Sequence, residues 1–492
     1  MLTLGHVIEA LTGYQSGGGT QIITDVVIDP RLAIPGALFI ALPGDESADR
    51  GSLKAAFERG AGAALVQRDV SNEQAAGLRC QVLDLREPVT HAQVEKLEPP
   101  VCVRVEDTLK AMQALAAYWR SRLQLRVIGV TGSVGKTTTK ELIAAVLSTR
   151  YRTLKSEGNY QHEVSLPLML LKLTEAHERA VVEMGFDHPG EIKFQAELAR
   201  PQVGVVNNVY AVHLERAGSL DAIARGKAEL VEALPPQPEG VAVLNADDPL
   251  VLAMAQRTRA RVVTYGLDPQ ADLWADNIES AGLDGVRFHL HYRHETLHVH
   301  VPLLGRHSVH TALRAAAVGL VEGLTWQEIL DGLNALGAAQ LRLVAVTGPQ
   351  GSVILDDTYS ASPESVIAAL NLLHELEGRR VAVLGDMLEL GSYEEVGHRL
   401  VGRRARDVAD LLVTVGQRAR VIAAEAREAG LPDAAVVELD DVEDVVAFLR
   451  QTIRRGDVVL LKGSQGVKLD RIVPALEVRP SEPSSAAGME LM

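Results

Sequence analysis

Cysteine is nearly absent: Cys80 and Cys102 are the only two in 492 residues. Two cysteines permit at most one disulfide and exclude a cysteine-rich zinc module, which suits a reducing compartment and makes the cytoplasm the expected location. Basic charge is also short, with 49 Lys+Arg against 64 Asp+Glu and a net charge of −15. No Lys/Arg-rich run supplies the stripe that tracks a phosphate backbone, so nucleic acid is not an expected partner. The same charge repels anionic membranes. No stretch approaches about 18 consecutive apolar residues, and Met1-Leu-Thr-Leu-Gly-His6 lacks the basic start and apolar core of a signal peptide, so no membrane insertion is expected. What is present is ordinary globular composition, 47% hydrophobic and 23% charged. At roughly 150 residues per domain the length predicts about three domains.

The apolar pattern divides the chain accordingly. Residues 1–105 carry short runs punctuated by Gly and Pro, such as Ala37–Leu42 and Gly62–Val66, with a helical spacing over Ser52–Arg59. These features predict a small α/β domain. Residues about 79 to 100, charged and ending in Pro99-Pro100, read as a surface insertion or linker. Over 106–338 a helix from Leu109 to Leu123 leads into the buried-strand run Arg126–Val130, followed by apolar runs at Ala180–Val182, Val203–Val206 and Val241–Leu244. Strands alternating with helices predict a mostly parallel sheet covered on both faces. Over 339–478 strand-length runs at Val353–Leu355, Arg380–Leu384, Leu411–Val415, Ala435–Leu439 and Val458–Leu461 predict a doubly wound, Rossmann-like α/β domain. Residues 479–492 have too little apolar content to fold and are expected to be disordered.

The sharpest motif is Thr131-Gly-Ser-Val-Gly-Lys-Thr-Thr-Thr139 between a strand and a helix. Gly132 and Gly135 let backbone amides close on phosphate oxygens, Lys136 offers a point charge, and Thr137 can place its hydroxyl on Mg²⁺. The ordinary phosphate loop has a further Gly where this chain has Val130; Gly129 comes one residue too early. Glu183 ends a buried strand, where a carboxylate either holds a metal or simply meets solvent. His213 follows the next strand and reads as a hydrogen-bonded structural histidine or a site residue. Lys227 reads as a solvated helix residue, as it would be in most proteins. Asp356 and Asp357, between a strand and the helix begun by Pro363, suit a ribose or metal contact or a helix cap.

Taken in order, these residues resemble the Mur ligase family, the ATP-dependent amide-forming enzymes of peptidoglycan precursor synthesis. The likeness runs through Asp29-Pro-Arg31, the Thr131–Thr137 loop, Glu183-Met-Gly185, Val212-His-Leu-Glu215, Asn245-Ala-Asp-Asp248, Gly305-Arg-His307, Arg342, Asp356-Asp-Thr-Tyr359, Leu384–Gly391 and Lys462-Gly-Ser464. The Asp-Asp-Thr-Tyr and Leu384–Gly391 blocks resemble the family's F-type branch. The resemblance implies a UDP-sugar-binding first domain, a P-loop ATPase middle domain and a Rossmann-like third domain that presents the incoming amine. It implies ATP and Mg²⁺ as cofactors, UDP-N-acetylmuramoyl-tripeptide and D-alanyl-D-alanine as substrates, and a monomer. ATP would lie on Gly132, Ser133, Val134, Gly135, Lys136, Thr137 and Thr138, with His307 against adenine and Arg342 and Asp357 on ribose and phosphates. Metal would be held by Thr137, Glu183, His213 and a carbamylated Lys227. Lys136, Glu183, His213 and Lys227 form the implied catalytic set; Asp29, Arg31, Asn159, Tyr359 and Lys462 the substrate set.

The chain departs from the branch on the substrate side. Ser308 and Thr311 stand where asparagines are usual, Tyr359-Ser-Ala-Ser-Pro363 replaces Tyr-Asn-Ala-Asn-Pro, Gly158-Asn-Tyr-Gln-His162 replaces Gly-Asn-x-Asn-Asn, and Asp29-Pro30-Arg31 replaces Asp-Ser-Arg. Two further readings are therefore carried: a paralogue with the same chemistry and another acceptor or amine, and a silent nucleotide-binding scaffold.

Overall fold

The computed structural model describes residues 1–14, 21–42, 50–70, 75, 77–157, 162–335 and 343–478. Asn159, Arg342 and the 479–492 segment lie outside the described residues, as does most of the Gly158–His162 stretch. The architecture is three mainly parallel sheets with helices packed on them. Among the described residues no helix is long and apolar enough to cross a membrane.

The first sheet runs, in spatial order, Val26–Val27, Leu38–Ile40, Ala63–Val66, Val101–Arg104 and Gln81–Asp84, every pairing parallel. Its last strand corrects the linker expected at 79–100. Gln81–Asp84 is an edge strand in register with Val101–Arg104, and only Leu83 in it is buried. An edge strand with one inward side chain carries almost no apolar periodicity, which is why the run read as surface chain.

Helix Thr108–Arg122 joins the first sheet to the second. Asp107 caps it by accepting from the Lys110 N–H, and Arg120 and Arg122 in its last turn complement the carbonyl end. Its inward stripe, Met112, Leu115, Ala116 and Trp119, is buried in a core that is continuous between the first two sheets. Trp119 is fully enclosed and its indole N–H donates to the Leu173 carbonyl at 2.8 Å. Burial of such a side chain contributes roughly 2–3 kcal/mol.

The second sheet has nine strands in the order Glu295–Val301, Val286–Tyr292, Leu273–Ser280, Arg261–Gly266, Val241–Asn245, Val203–Val206, Arg126–Thr131, Arg179–Glu183 and Thr153–Lys155. The six pairings from Leu273–Ser280 to Thr153–Lys155 are parallel. The expected buried runs are all there, but the sheet is extended by two antiparallel pairings over residues 273–301. That extension buries Leu273, Ala275, Phe288 and Leu290 on one face and leaves polar residues on the other. Its period is two, unlike the continuous apolar runs of the parallel strands.

The third sheet is ordered Val344–Thr347, Val353–Asp357, Val458–Lys462, Arg380–Gly385, Leu411–Val415 and Val436–Leu439, parallel except for its first, antiparallel edge. The fold class expected from the sequence is the one observed. Functional residues leave the carboxyl ends of strands in the second and third sheets, where parallel sheets place ligands.

Candidate active site

Strand Arg126–Thr131 runs one residue past the point at which an ordinary phosphate loop begins. Val130 is therefore a buried strand residue whose carbonyl accepts from Met184 N–H at 2.8 Å, and the turn starts only at Gly132. Gly132 has φ +151°, and a Cβ there would lie 2.5 Å from Asn207 Cβ, so no other residue fits. Gly135, at φ +79°, opens helix Lys136–Ser148 without any side-chain cap. The first N–H groups of that helix are thus left for an anion.

Two residues that the sequence reading did not single out hold this loop. Asn207 and Asn208 follow strand Val203–Val206 and strap it: Val134 N–H donates to Asn208 Oδ1 at 2.9 Å, while Asn207 and Asn208 side-chain amides donate to the Val134 carbonyl at 3.1 and 3.2 Å. Ser133 N–H donates to the Asn208 carbonyl at 3.0 Å, and Ser133 Oγ accepts from Tyr210 N–H at 2.8 Å. A third unread residue is Arg314. Its buried guanidinium donates to Thr139 Oγ1 at 2.7 Å and lies 3.7 Å from where a Gly135 Cβ would be. Among the described residues it forms no ion pair, and burial holds its pKa below the usual arginine range. Paired amides directly after a buried strand, and one arginine in the otherwise apolar run Ala312–Val318, were the available signals.

Lys136 Nζ donates to the Gly132 carbonyl at 3.0 Å, folded over its own loop. Thr137 Oγ1 donates to Glu183 Oε1 at 3.2 Å, so the hydroxyl and carboxylate paired in the sequence reading meet in space; Thr138 lies in the same helical turn. Glu183 is steadied by its backbone N–H donating to Ser156 Oγ at 3.0 Å, with Lys140 Nζ 4.0 Å from its other oxygen.

Lys227 is not the solvated helix residue that its sequence context suggests. It is 2% exposed on helix Leu220–Glu232, with its ammonium group 5.4 Å from the Phe186 ring centroid. Among the described residues no carboxylate pairs with it. Burial first, and then the Lys136 charge, push its pKa well below the usual lysine range. Gly226 packs so closely on Phe186 that a Cβ would come within 1.9 Å of the ring.

His213 faces the third sheet. With φ +55°, its Nδ1 lies 2.5 Å from Glu389 Oε2, and Glu389 itself has φ +63°. Arg216 donates to both Asp187, at 2.6 Å, and Glu389, at 2.8 Å. At the same seam a Cβ on Gly391 would stand 3.0 Å from the Glu215 nitrogen. The Leu384–Gly391 block is therefore the surface by which the third sheet meets the His213 segment.

A second cross-sheet group gathers the nucleotide and substrate candidates. Lys462, 2% exposed, donates to Asp357 Oδ2 at 2.6 Å and to the Ser360 carbonyl at 2.8 Å. His307, exposed just before helix Ser308–Val321, lies close enough to feel Lys462, His310 and Arg314. The capping alternative for Asp356 and Asp357 is corrected: Ser362 caps helix Pro363–Glu375, while Asp356 accepts from Thr358 N–H at 3.1 Å and Thr358 Oγ1 at 2.7 Å. Tyr359 is half-buried in the same turn. In the 3₁₀ turn Pro30–Leu32 beside the first sheet, Asp29 and Arg31 pair with each other at 2.7 Å, and these hydrogen bonds hold the Asp29 carboxyl below its ordinary pKa.

Comparison with known proteins agrees over most of the chain. The Mur ligase middle domain matches residues 130–319, and the Mur ligase glutamate ligase domain matches residues 341–465. A Bacillus subtilis protein named UDP-N-acetylmuramoyl-tripeptide–D-alanyl-D-alanine ligase is 34% identical over 93% of this chain and 94% of that relative. A MurF crystal structure from Acinetobacter baumannii superposes with TM-score 0.78 at 27% identity, covering 95% of this chain and 97% of that one. Thermotoga maritima MurF, solved in complex with ADP, shares the fold with TM-score 0.74 at 24% identity over 95% of this chain and 97% of that one. A glycine-framed phosphate loop, a threonine–carboxylate pair beside it and a likeness over more than nine-tenths of the chain leave one assignment: the chain belongs to the Mur ligase family.

Proposed function

We propose that the protein joins D-alanyl-D-alanine to UDP-N-acetylmuramoyl-tripeptide at the expense of ATP, forming an amide bond through an acyl phosphate on the tripeptide. The observation that carries the reading is the uncapped helix start at Gly135 beside the Thr137–Glu183 pair, in a chain alike over its length to ligases of that name. In this reading 1–105 receives the UDP-sugar, 106–338 the ATP, and 339–478 the amine.

The residues present fit ATP and Mg²⁺. The Gly132 cradle admits no side chain, the helix amides are open, and Thr137 and Glu183 present two hard oxygens 3.2 Å apart, the donor type Mg²⁺ takes. When bound, Mg²⁺ supplies charge neutralisation between the γ-phosphate and the attacking carboxylate. Lys136 leaves its loop carbonyls to meet the outer phosphates, and Arg314 adds fixed positive charge behind the loop. Burial favours the neutral form of Lys227, and a neutral amine is the form that takes up CO₂, releasing a proton, to become a carbamate; this supports its reading as a metal-side ligand. His213 is oriented by Glu389 across the seam between the second and third sheets. Lys462 and Asp357 hold one another near His307.

The test is phosphate release with ATP, Mg²⁺, UDP-N-acetylmuramoyl-tripeptide and D-alanyl-D-alanine, each omitted in turn, with product mass measured. Release that needs all four, and the pentapeptide mass, is the expected result. Turnover only with another amine or acceptor would establish the paralogue instead, and ATP binding without any turnover the scaffold.

A further inference from the structure

The antiparallel extension carries a cluster unrelated to the phosphate loop. Its strand Leu273–Ser280 is four places along the sheet from strand Arg126–Thr131. Register places Asp276 opposite His289 and Trp274 opposite His291 on one side, and His298 opposite His289 and Thr296 opposite His291 on the other. Residues two apart or directly opposite share a face, so these six side chains form one polar patch on the side away from Phe288 and Leu290. Among the described residues, Asp276, His289 and His291 are a set whose ligand atoms all lie within 4.8 Å of one another. His291 Nε2 is 3.0 Å and His289 Nδ1 3.5 Å from the same oxygen, Asp276 Oδ1. The edge of a tetrahedron with ~2.1 Å bonds is about 3.4 Å.

We propose that Asp276, His289 and His291 form a binding site for a divalent transition metal of the zinc, nickel and copper class, separate from the nucleotide site. The surroundings are those of a prepared ligand set. Thr296 Oγ1 lies 3.0 Å from His291 Nδ1, turning Nε2 toward Asp276, while the Asn277 amide, 2.8 Å from His289 Nδ1, occupies that nitrogen's one lone pair and gives it up when a metal binds. Trp274 stacks on the His291 ring with centroids 3.8 Å apart, and His298 meets His289 edge-on at 4.2 Å, so both rings are held on their far sides. The ladder shifts register immediately after Asp276, and Asn277 takes φ +47°, a bulge that re-aims the strand at this point. Two imidazoles and one carboxylate select zinc, nickel or copper over magnesium or calcium, and leave solvent to complete the shell.

The test uses the nucleotide-free full chain. Zn²⁺ is titrated against a chromophoric chelator, and Ni²⁺ is followed by tryptophan fluorescence, which Trp274 reports. Expected are one Zn²⁺ equivalent that H289A/H291A loses, binding at least tenfold weaker in the near-isosteric D276N, and Ni²⁺ quenching that W274F diminishes without changing the Zn²⁺ stoichiometry. Should the double histidine variant fail to fold, D276N decides alone. Equal Zn²⁺ affinity in wild type, the double variant and D276N, or no Zn²⁺ taken up by wild type, would overturn the proposal.

Discussion

Lys136 and Lys227 are two lysines of one site in opposite electrostatic settings. Lys136 sits over loop carbonyls and meets phosphate as an ammonium, so Lys136→Ala should lower turnover by at least about a hundredfold while leaving the melting temperature nearly unchanged, read by phosphate release and calorimetry. Lys227 is buried without a carboxylate and its pKa is depressed, so the folded chain holds that proton less tightly than the unfolded chain does. Stability contributed at this position therefore rises with pH until the ordinary lysine value near 10.4 is reached. In CO₂-depleted buffer Lys227→Met should melt about 2–4 °C above wild type at pH 7, and the gap should narrow by pH 9. The same variant should lose activity; full activity would remove Lys227 from the mechanism.

The loop owes its shape to a neighbouring strand end as much as to its own glycines. Asn208→Ala removes the acceptor for the Val134 N–H and one donor to its carbonyl, and should weaken ADP binding about tenfold by calorimetric titration, the cost of roughly one well-made hydrogen bond. Strand–loop–helix order was legible because Arg126–Val130 is a continuous apolar run ending in glycines, and the pairing of Thr137 with Glu183 followed from parallel-sheet geometry. Asn207, Asn208 and Arg314 were not legible, because their role depends on which strands and helices lie side by side in space. Edge strand Gln81–Asp84 and the 273–301 extension were missed for a related reason: short or half-exposed strands have little apolar contrast. Lys227 shows the converse, since nothing in Ala224-Arg-Gly-Lys227 reveals that Phe186 roofs it; only packing does.

At the scale of the whole molecule, the reactive residues belong to two sheets that meet along His213, Arg216, Glu389 and Gly391. Under the proposed function, in which the third sheet brings the amine to an acyl phosphate on the second, we propose that this seam changes during turnover. X-ray scattering with a non-hydrolysable ATP analogue and the tripeptide nucleotide should report a more compact particle than the ligand-free protein. Glu389→Ala should make the ligand-free particle less uniform and lower kcat more than it raises KM for ATP. An unchanged scattering profile in both comparisons would mean that the sheets keep one arrangement throughout. His213 and Glu389, the partners across the seam, are both non-glycine residues with left-handed backbone, a conformation that costs about 1 kcal/mol apiece. When they part, each can fall back to an ordinary conformation, so some of the attraction given up is returned as relaxed backbone. The join is a sprung catch, able to let go as readily as it closes, as a site that must discharge its product at every cycle requires.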